Sequence, residues 1–189
     1  GVGLSISTLT EVHGRLTLSG DMVTTSLNIL STGIMTLKNP FSTDSSGTIL
    51  NVNGNMFVRG ELTFYGATIL CKHLNITGKL IGDGVAGASG PGTPPSNSGS
   101  RGGASHGGVG GDVTAHGRID VGSRLIYGSV SKPQEFGSPN CNNNNCLKGG
   151  GAIHIISSSS VHLGKNGFIS ANGQGESMIY KAGGASGGS

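Results

Sequence analysis

Every even-numbered position from Leu50 to Gly84 is apolar or glycine, apart from Thr68 and Lys72. A period of two is the signature of a β-strand with one buried face, because successive side chains point to opposite sides of the pleat. Thirty-five residues is far too long for one strand, so the alternation must be folded back on itself several times. Glycines at 54, 60, 66, 78 and 84 recur at multiples of six and give a unit Gly-x-Φ-x-Φ-x, in which each glycine supplies a corner that a side chain would obstruct. The odd positions Asn51, Asn53, Asn55, Arg59, Glu61, Thr63, His73, Asn75, Thr77 and Lys79 read as the outer face. Phe57, Tyr65, Ile69 and Ile81 break that rule and predict an apolar outer patch, and Cys71 also falls on the outer face.

The same grammar returns in odd parity at Gly151, Ile153, Ile155, Val161, Leu163, Gly167, Ile169, Ala171 and Gly173. Aligning Leu74–Gly84 with Leu163–Gly173 requires an offset of 89, an odd number, which accounts for the flip. Each copy then runs into a second shared word, Gly102-Gly103-Ala104-Ser105 in one case and Gly183-Gly184-Ala185-Ser186 in the other, so that repeat words span 74–111 and 163–189. Units of this kind bury their apolar faces only by stacking on neighbours. The expected fold is all-β, a parallel β-helix (β-solenoid) with glycine-rich irregular loops, forming a single fragment over residues 1–189. Excursions from its core are expected at 85–111 and 128–148. Its inward set is predicted to include Leu62, Phe64, Leu70, Leu74, Ile76, Leu80, Ile153, Ile155, Val161, Leu163 and Ile169.

Composition tests this reading. The 37 glycines would suit a disordered chain, but 34% hydrophobic residues and a net charge of only +3 would not. The small charge is not gathered into a basic run and aromatics are 4%, so neither a phosphate-tracking stripe nor a base-stacking platform is present, which argues against nucleic acid as a partner. No apolar run approaches the length of a membrane-spanning helix. Three cysteines leave at least one without a partner inside the chain. Cys141 and Cys146 flank four asparagines in a loop that a disulfide would close, and the sequon Asn75-Ile76-Thr77 marks a glycosylation candidate. Both cues point to the extracellular space or a cell surface.

Several words are familiar as words. Gly102-Gly103-Ala104-Ser105-His106-Gly107-Gly108-Val109-Gly110-Gly111, Tyr127-Gly128-Ser129, Phe136-Gly137-Ser138, Gly149-Gly150-Gly151-Ala152-Ile153-His154-Ile155 and Gly167-Phe168-Ile169-Ser170-Ala171-Asn172-Gly173 resemble those of large, repetitive, glycine-rich surface proteins of protists, plants and bacteria. The resemblance covers roughly residues 74–189. It implies a secreted or cell-surface β-helical protein, and it carries no catalytic residue. Here Pro139 and the asparagine loop follow the Phe-Gly-Ser word, where that family normally continues directly into glycines.

Two function classes follow. The first is a structural or adhesive module that self-associates, or stacks on neighbouring repeats of the same protein, into a rod or filament. Cys71, Phe57, Tyr65, Ile69 and Ile81 are its candidate intermolecular contacts. The alternative is a carbohydrate-active β-helix, a polysaccharide-degrading enzyme or a glycan-binding module. Such an enzyme needs two or three converging carboxylates, yet no two of the nine acids lie within seven residues of each other in sequence. The polygalacturonase pattern pairs adjacent aspartates with Gly-His-Gly, and Ser105-His106-Gly107 lacks the acids. Gly107-Gly108-Val109-Gly110-Gly111-Asp112 is a single, out-of-register shadow of a calcium-binding nonapeptide, whose sites need tandem copies. The histidines at 13, 73, 106, 116, 154 and 162 have no metal-pair spacing. No catalytic residue, metal ligand or cofactor is therefore assigned, and glycans remain partners of the alternative reading alone.

Overall fold

The computed structural model describes residues 4–38, 47–85, 91–93, 104–106, 113–115, 118–120, 122–129, 135–142, 145–175 and 185–188. Asp44, Asp112, His116, Glu176 and the glycine word at 107–111 lie outside them. The chain forms two compact units, Gly1–Ile81 with Ile153–Ser170, and Gly82–Ala152 with Ala171–Ser189.

The first unit is all-β and built on two five-stranded parallel sheets. One holds β1 (Leu4–Val12), β3 (Met22–Ile29), β5 (Thr48–Val58), β7 (Gly66–Ile76) and β13 (Ala152–Leu163) in that spatial order. The other holds β2 (Arg15–Leu18), β4 (Ile34–Leu37), β6 (Glu61–Phe64), β8 (Lys79–Ile81) and β14 (Phe168–Ser170). The chain visits the two sheets in strict alternation, so that β1–β2, β3–β4, β5–β6, β7–β8 and β13–β14 are successive strand pairs.

Register turns this alternation into columns of like residues. Leu16, Met35, Leu62, Leu80 and Ile169 are consecutive register partners, as are Thr10, Leu27, Met56 and Leu74, and Val12, Ile29, Val58 and Ile76. The Gly164 N–H donates to the Ile76 carbonyl at 2.8 Å, just as the Thr77 N–H donates to the Val58 carbonyl. Leu163 therefore stands beside Ile76, His162 beside Asn75 and Val161 beside Leu74. Met35, Leu62, Leu80, Leu27, Met56, Leu74, Ile29, Val58 and Ile76 are all fully or almost fully buried. Each such side chain contributes about 1.5–3 kcal/mol on burial.

The turn that leads from the first sheet to the second carries a column of glycines at 14, 33, 60, 78 and 167. The Ile34, Glu61, Lys79 and Phe168 N–H groups donate to the carbonyls of Gly14, Gly33, Gly60 and Gly78 respectively, so each corner is bonded to the one before it. A Cβ on Gly60 would lie 2.2 Å from the Gly33 and Leu30 carbonyl oxygens, and one on Gly78 would lie 2.1 Å from the Gly60 oxygen. The backbones approach too closely for a side chain. The return connections, by contrast, range from the single residue Tyr65 to the stretch 82–151. Insertions enter there, and the largest is most of the second unit.

Glycines spaced by six are thus not all corners. Gly54 lies inside β5 and Gly66 opens β7, whereas Gly60 and Gly78 mark corners one strand pair apart. The two words separated by 89 residues are register partners on neighbouring strands, Leu80 beside Ile169 and Ile81 beside Ser170.

Parity also slips at a point that alternation alone does not mark. Phe64 faces inward, the one-residue connection through Tyr65 resets the phase, and Ala67, Ile69 and Cys71 become the buried set of β7. Lys72 and His73 then both stay out of the core, restoring even parity from Leu74. This irregularity sits opposite Asn53 and Gly54 of β5, where two residues face one. Ile69 and Cys71 are consequently buried, at 0% and 7% exposure, and are not outer-face contacts. Leu70, placed inside by parity, is only half-buried, as are Phe57, Tyr65 and Ile81, so the apolar outer patch expected of these four residues loses Ile69 outright. Ile153 and Ile155 are half-buried too, while Val161, Leu163 and Ile169 stand in the inward columns and yet are 51%, 51% and 42% exposed. They belong to the last strand pair, which has no further pair over it among the described residues.

The second unit is different in kind. Among its described residues, β9 (Val113–Ala115) pairs antiparallel with β10 (Arg118–Asp120), and β11 (Asn140–Asn142) with β12 (Asn145–Leu147). Elsewhere irregular segments bond backbone to backbone: Gly137 N–H to the Gly150 carbonyl, Gly150 N–H to that of Ser186, and Gly188 N–H to that of Ala171. A Cβ on Gly150 would lie 1.9 Å from the Ala171 oxygen, so this packing of main chains depends on glycine.

Candidate functional site

Two places in the molecule gather side chains from distant parts of the sequence. Among the described residues of the second unit, buried hydroxyls form a network. Ser105, Ser123 and Ser138 are buried. Ser105 Oγ donates to the Leu125 carbonyl and lies 3.0 Å from Ser123 Oγ. The Tyr127 hydroxyl donates to the Phe136 carbonyl at 2.6 Å and lies 2.7 Å from Ser138 Oγ. Ser138 Oγ accepts the Gly92 N–H at 2.8 Å, while Ser186 Oγ accepts the Ser138 N–H at 2.6 Å and reaches the Ser105 carbonyl at 3.2 Å. The glycine-rich words of the sequence meet here: Ser105 and Ser186 come from the two Gly-Gly-Ala-Ser copies, Tyr127 and Ser138 from the Tyr-Gly-Ser and Phe-Gly-Ser words. Sequence reasoning saw the words and missed their convergence, because serine is read as surface unless its partners are known.

The His106 ring packs edge-on against Tyr127 with centroids 4.7 Å apart. Burial lowers its pKa against the opposing pull of Glu135, and burial raises that of Tyr127. Both are therefore neutral groups at pH 7. The network presents buried hydroxyls bonded to carbonyls and to one another, an arrangement that holds segments together.

Cys146 is disulfide-bonded, and the backbone sets Cys141 directly opposite it in the β11–β12 ladder. Cys71 is a free, buried thiol whose pKa is pushed up by burial, with a hydrogen bond from Ser157 acting the other way. Its side chain is 7% exposed, so it is not the outward-facing thiol that alternation predicts.

The second place is the pair of outermost strands at each end of the parallel sheets. On the outer face of the first sheet, Glu11, Asn28, Phe57 and Asn75 form one column, continued by His162. Asn28 Nδ2 donates to Glu11 Oε1 at 3.2 Å, and the Arg59 guanidinium lies 5.6 Å from the Phe57 ring centroid. The sequon residue Asn75 is half-buried in this column, with Oδ1 covered and without a hydrogen bond among the described residues. Beyond it His73 Nδ1 and Ser160 Oγ are 2.9 Å apart, and Ser157 Oγ donates to the Lys72 carbonyl at 2.8 Å. At the β13–β14 end Val161, Leu163, Phe168 and Ile169 are exposed, and at the β1–β2 end Leu4 and Leu9 are.

Among the described residues no three of His, Cys, Asp and Glu gather as metal ligands, and no helix is long and apolar enough to cross a membrane. Compared with known proteins, the chain matches no family, no curated protein and no solved structure.

Proposed function

We propose that this chain is an extracellular structural or adhesive module, a parallel β-solenoid whose strand pairs are successive coils and which self-associates into a rod or filament. The observation that carries this reading is the set of register columns that run through five strand pairs and leave Val161, Leu163 and Ile169 of the last pair exposed. Alternation between two parallel sheets, corner glycines bonded each to the next, and insertions confined to the opposite corner are what a coil requires. An exposed strand edge seeks a partner unless it is blunted. The disulfide at Cys146 suits an oxidising compartment. The resemblance of residues 74–189 to glycine-rich surface proteins points the same way.

Sedimentation equilibrium and electron microscopy of the purified chain test this function. Concentration-dependent growth from the 18.8 kDa monomer into linear particles is expected. A chain that stays monomeric up to the highest attainable concentration would exclude self-association as its role.

A further inference from the structure

We propose that Asn75 carries an N-linked oligosaccharide whose first sugar is seated against Phe57. The proposal rests on the extracellular reading of the chain and adds a modification site and a ligand class which that reading leaves open.

The acceptor is Asn75-Ile76-Thr77, which has the Asn-x-Thr spacing that oligosaccharide transfer requires, with no proline between. A motif of three residues is common, and what decides here is how the fold treats it. Ile76 is fully buried, so alternation sends Asn75 to the outer face of the first sheet, and Thr77 is exposed at the corner that follows. Oδ1 is the covered atom of the Asn75 amide, whereas Nδ2, the atom that bonds to sugar, is neither covered nor hydrogen-bonded among the described residues. The Thr77 hydroxyl is likewise without a hydrogen bond among them.

The comparable groups of the second strand pair are used by the fold. Asn28, in the same column as Asn75, donates through Nδ2 to Glu11 Oε1 at 3.2 Å, and the Thr32 hydroxyl, on the corner after β3, donates to the His13 carbonyl at 3.0 Å. Asn75 and Thr77 hold nothing in place. A covered amide oxygen with no partner detracts from stability, so a role outside the fold accounts better for this pair.

The surroundings fit a sugar. Phe57 is the register partner of Asn75 on β5, and the Arg59 guanidinium lies 5.6 Å from the Phe57 ring centroid. Neighbouring strands are about 4.8 Å apart, so a pyranose on Nδ2 reaches the ring and packs its apolar C–H face against it. Arg59 has N–H donors for the sugar oxygens. Phe57 is half-buried and Arg59 exposed, which leaves both accessible from solvent. The donor is an oligosaccharide held on a lipid pyrophosphate. The bond from Nδ2 to the anomeric carbon forms, the bond from that carbon to the phosphate oxygen breaks, the lipid pyrophosphate leaves and the amide gives up one proton.

To test occupancy, the chain purified from the cells that make it is digested with trypsin, which isolates the sequon in the peptide His73–Lys79. Mass spectrometry is expected to find that peptide bearing an oligosaccharide, and an N-glycosidase acting in heavy-oxygen water to leave a labelled aspartate in place of Asn75. A bare peptide from a chain whose Cys146 is recovered disulfide-bonded overturns the proposal and leaves the extracellular reading standing. A bare peptide with Cys146 reduced overturns both. The seat is read by urea unfolding of chains made in the same cells. Phe57→Ala is expected to lower the midpoint further in the glycosylated chain than in a Thr77→Val background, which keeps Asn75 and removes the acceptor motif. Phe57→Leu, which keeps an apolar side chain without the ring, is read in the same way if Phe57→Ala does not fold. Equal shifts in the two backgrounds overturn the seating on Phe57.

Discussion

Replacing Gly78 by alanine is the sharpest probe of the corner column, because Gly14 supplies a matched control in the same column. Neither residue has a positive φ, so neither substitution is penalised by backbone conformation. A Cβ on Gly14 meets nothing within 4 Å, whereas one on Gly78 would stand 2.1 Å from the Gly60 oxygen and 2.5 Å from the Arg59 oxygen. Both obstacles are main chain and cannot swing aside. A carbon needs about 3.3 Å from an oxygen, so β8 must retreat by roughly 1 Å from β6. That retreat stretches the Gly78-to-Val58 and Lys79-to-Gly60 hydrogen bonds, both 2.8 Å. Two weakened bonds at about 1 kcal/mol each, with about 1–3 kcal/mol of overpacking strain, predict a loss of about 3–5 kcal/mol. Gly14→Ala should change stability by less than about 1 kcal/mol in either direction. Urea unfolding followed by far-ultraviolet circular dichroism reads both, with a lower midpoint at unchanged slope expected for Gly78→Ala. Equal midpoints for the two variants would refute the stacked-corner geometry.

Ile69→Ala is expected to cost about 2–5 kcal/mol and Leu70→Ala less than about 1.5 kcal/mol in the same urea assay, and the reverse order would restore the simple even parity. Cys71 in the native chain should resist alkylation at pH 8 while the unfolded chain labels promptly; native labelling at the unfolded rate would contradict its burial. Because burial raises the folded pKa of Cys71 above its ordinary 9.0, the neutral thiol is favoured by folding. Its contribution is complete below pH 9 and is lost as pH rises through the folded value, so the decline in stability above pH 9 should be shallower in Cys71→Ala than in the native chain. Leu163→Asp and Ile169→Lys, both at exposed sites, should leave the unfolding midpoint within about 0.5 kcal/mol of the native value and abolish concentration-dependent sedimentation. Undiminished association of both variants would remove the β13–β14 edge from the assembly.

How much was legible follows from what each signal measures. Alternation reports local pleat, and it identified the strands of 50–84 and the burial of Leu62, Phe64, Leu74, Ile76 and Leu80. It carries no information on connections, so the phase reset through Tyr65 and the irregularity at Lys72 passed unseen, and Ile69, Leu70 and Cys71 were set on the wrong faces. Phase also does not report what lies on top: Val161, Leu163 and Ile169 occupy inward columns but close no core. The 89-residue offset was visible in the words, yet only register reveals it as a neighbour relation, with most of the second unit inserted between the two copies. The serines of that unit could not be read as buried, since a hydroxyl network is defined by partners up to 81 residues apart.

The central claim, that strand pairs far apart in sequence lie in one register, is tested most directly by spin-label distances along the column Arg15, Ile34, Glu61, Lys79 and Phe168. Arg15, Lys79 and Phe168 are exposed and accept labels. In a Cys71→Ala background diluted with unlabelled chain, the Arg15–Lys79 pair spans three strand spacings and the Arg15–Phe168 pair four, about 14 and 19 Å between Cα atoms. The account predicts two narrow distributions whose means differ by about one strand spacing, although the second pair is separated by 89 more residues than the first. A broad distribution for Arg15–Phe168, or a mean beyond about 30 Å, would contradict it.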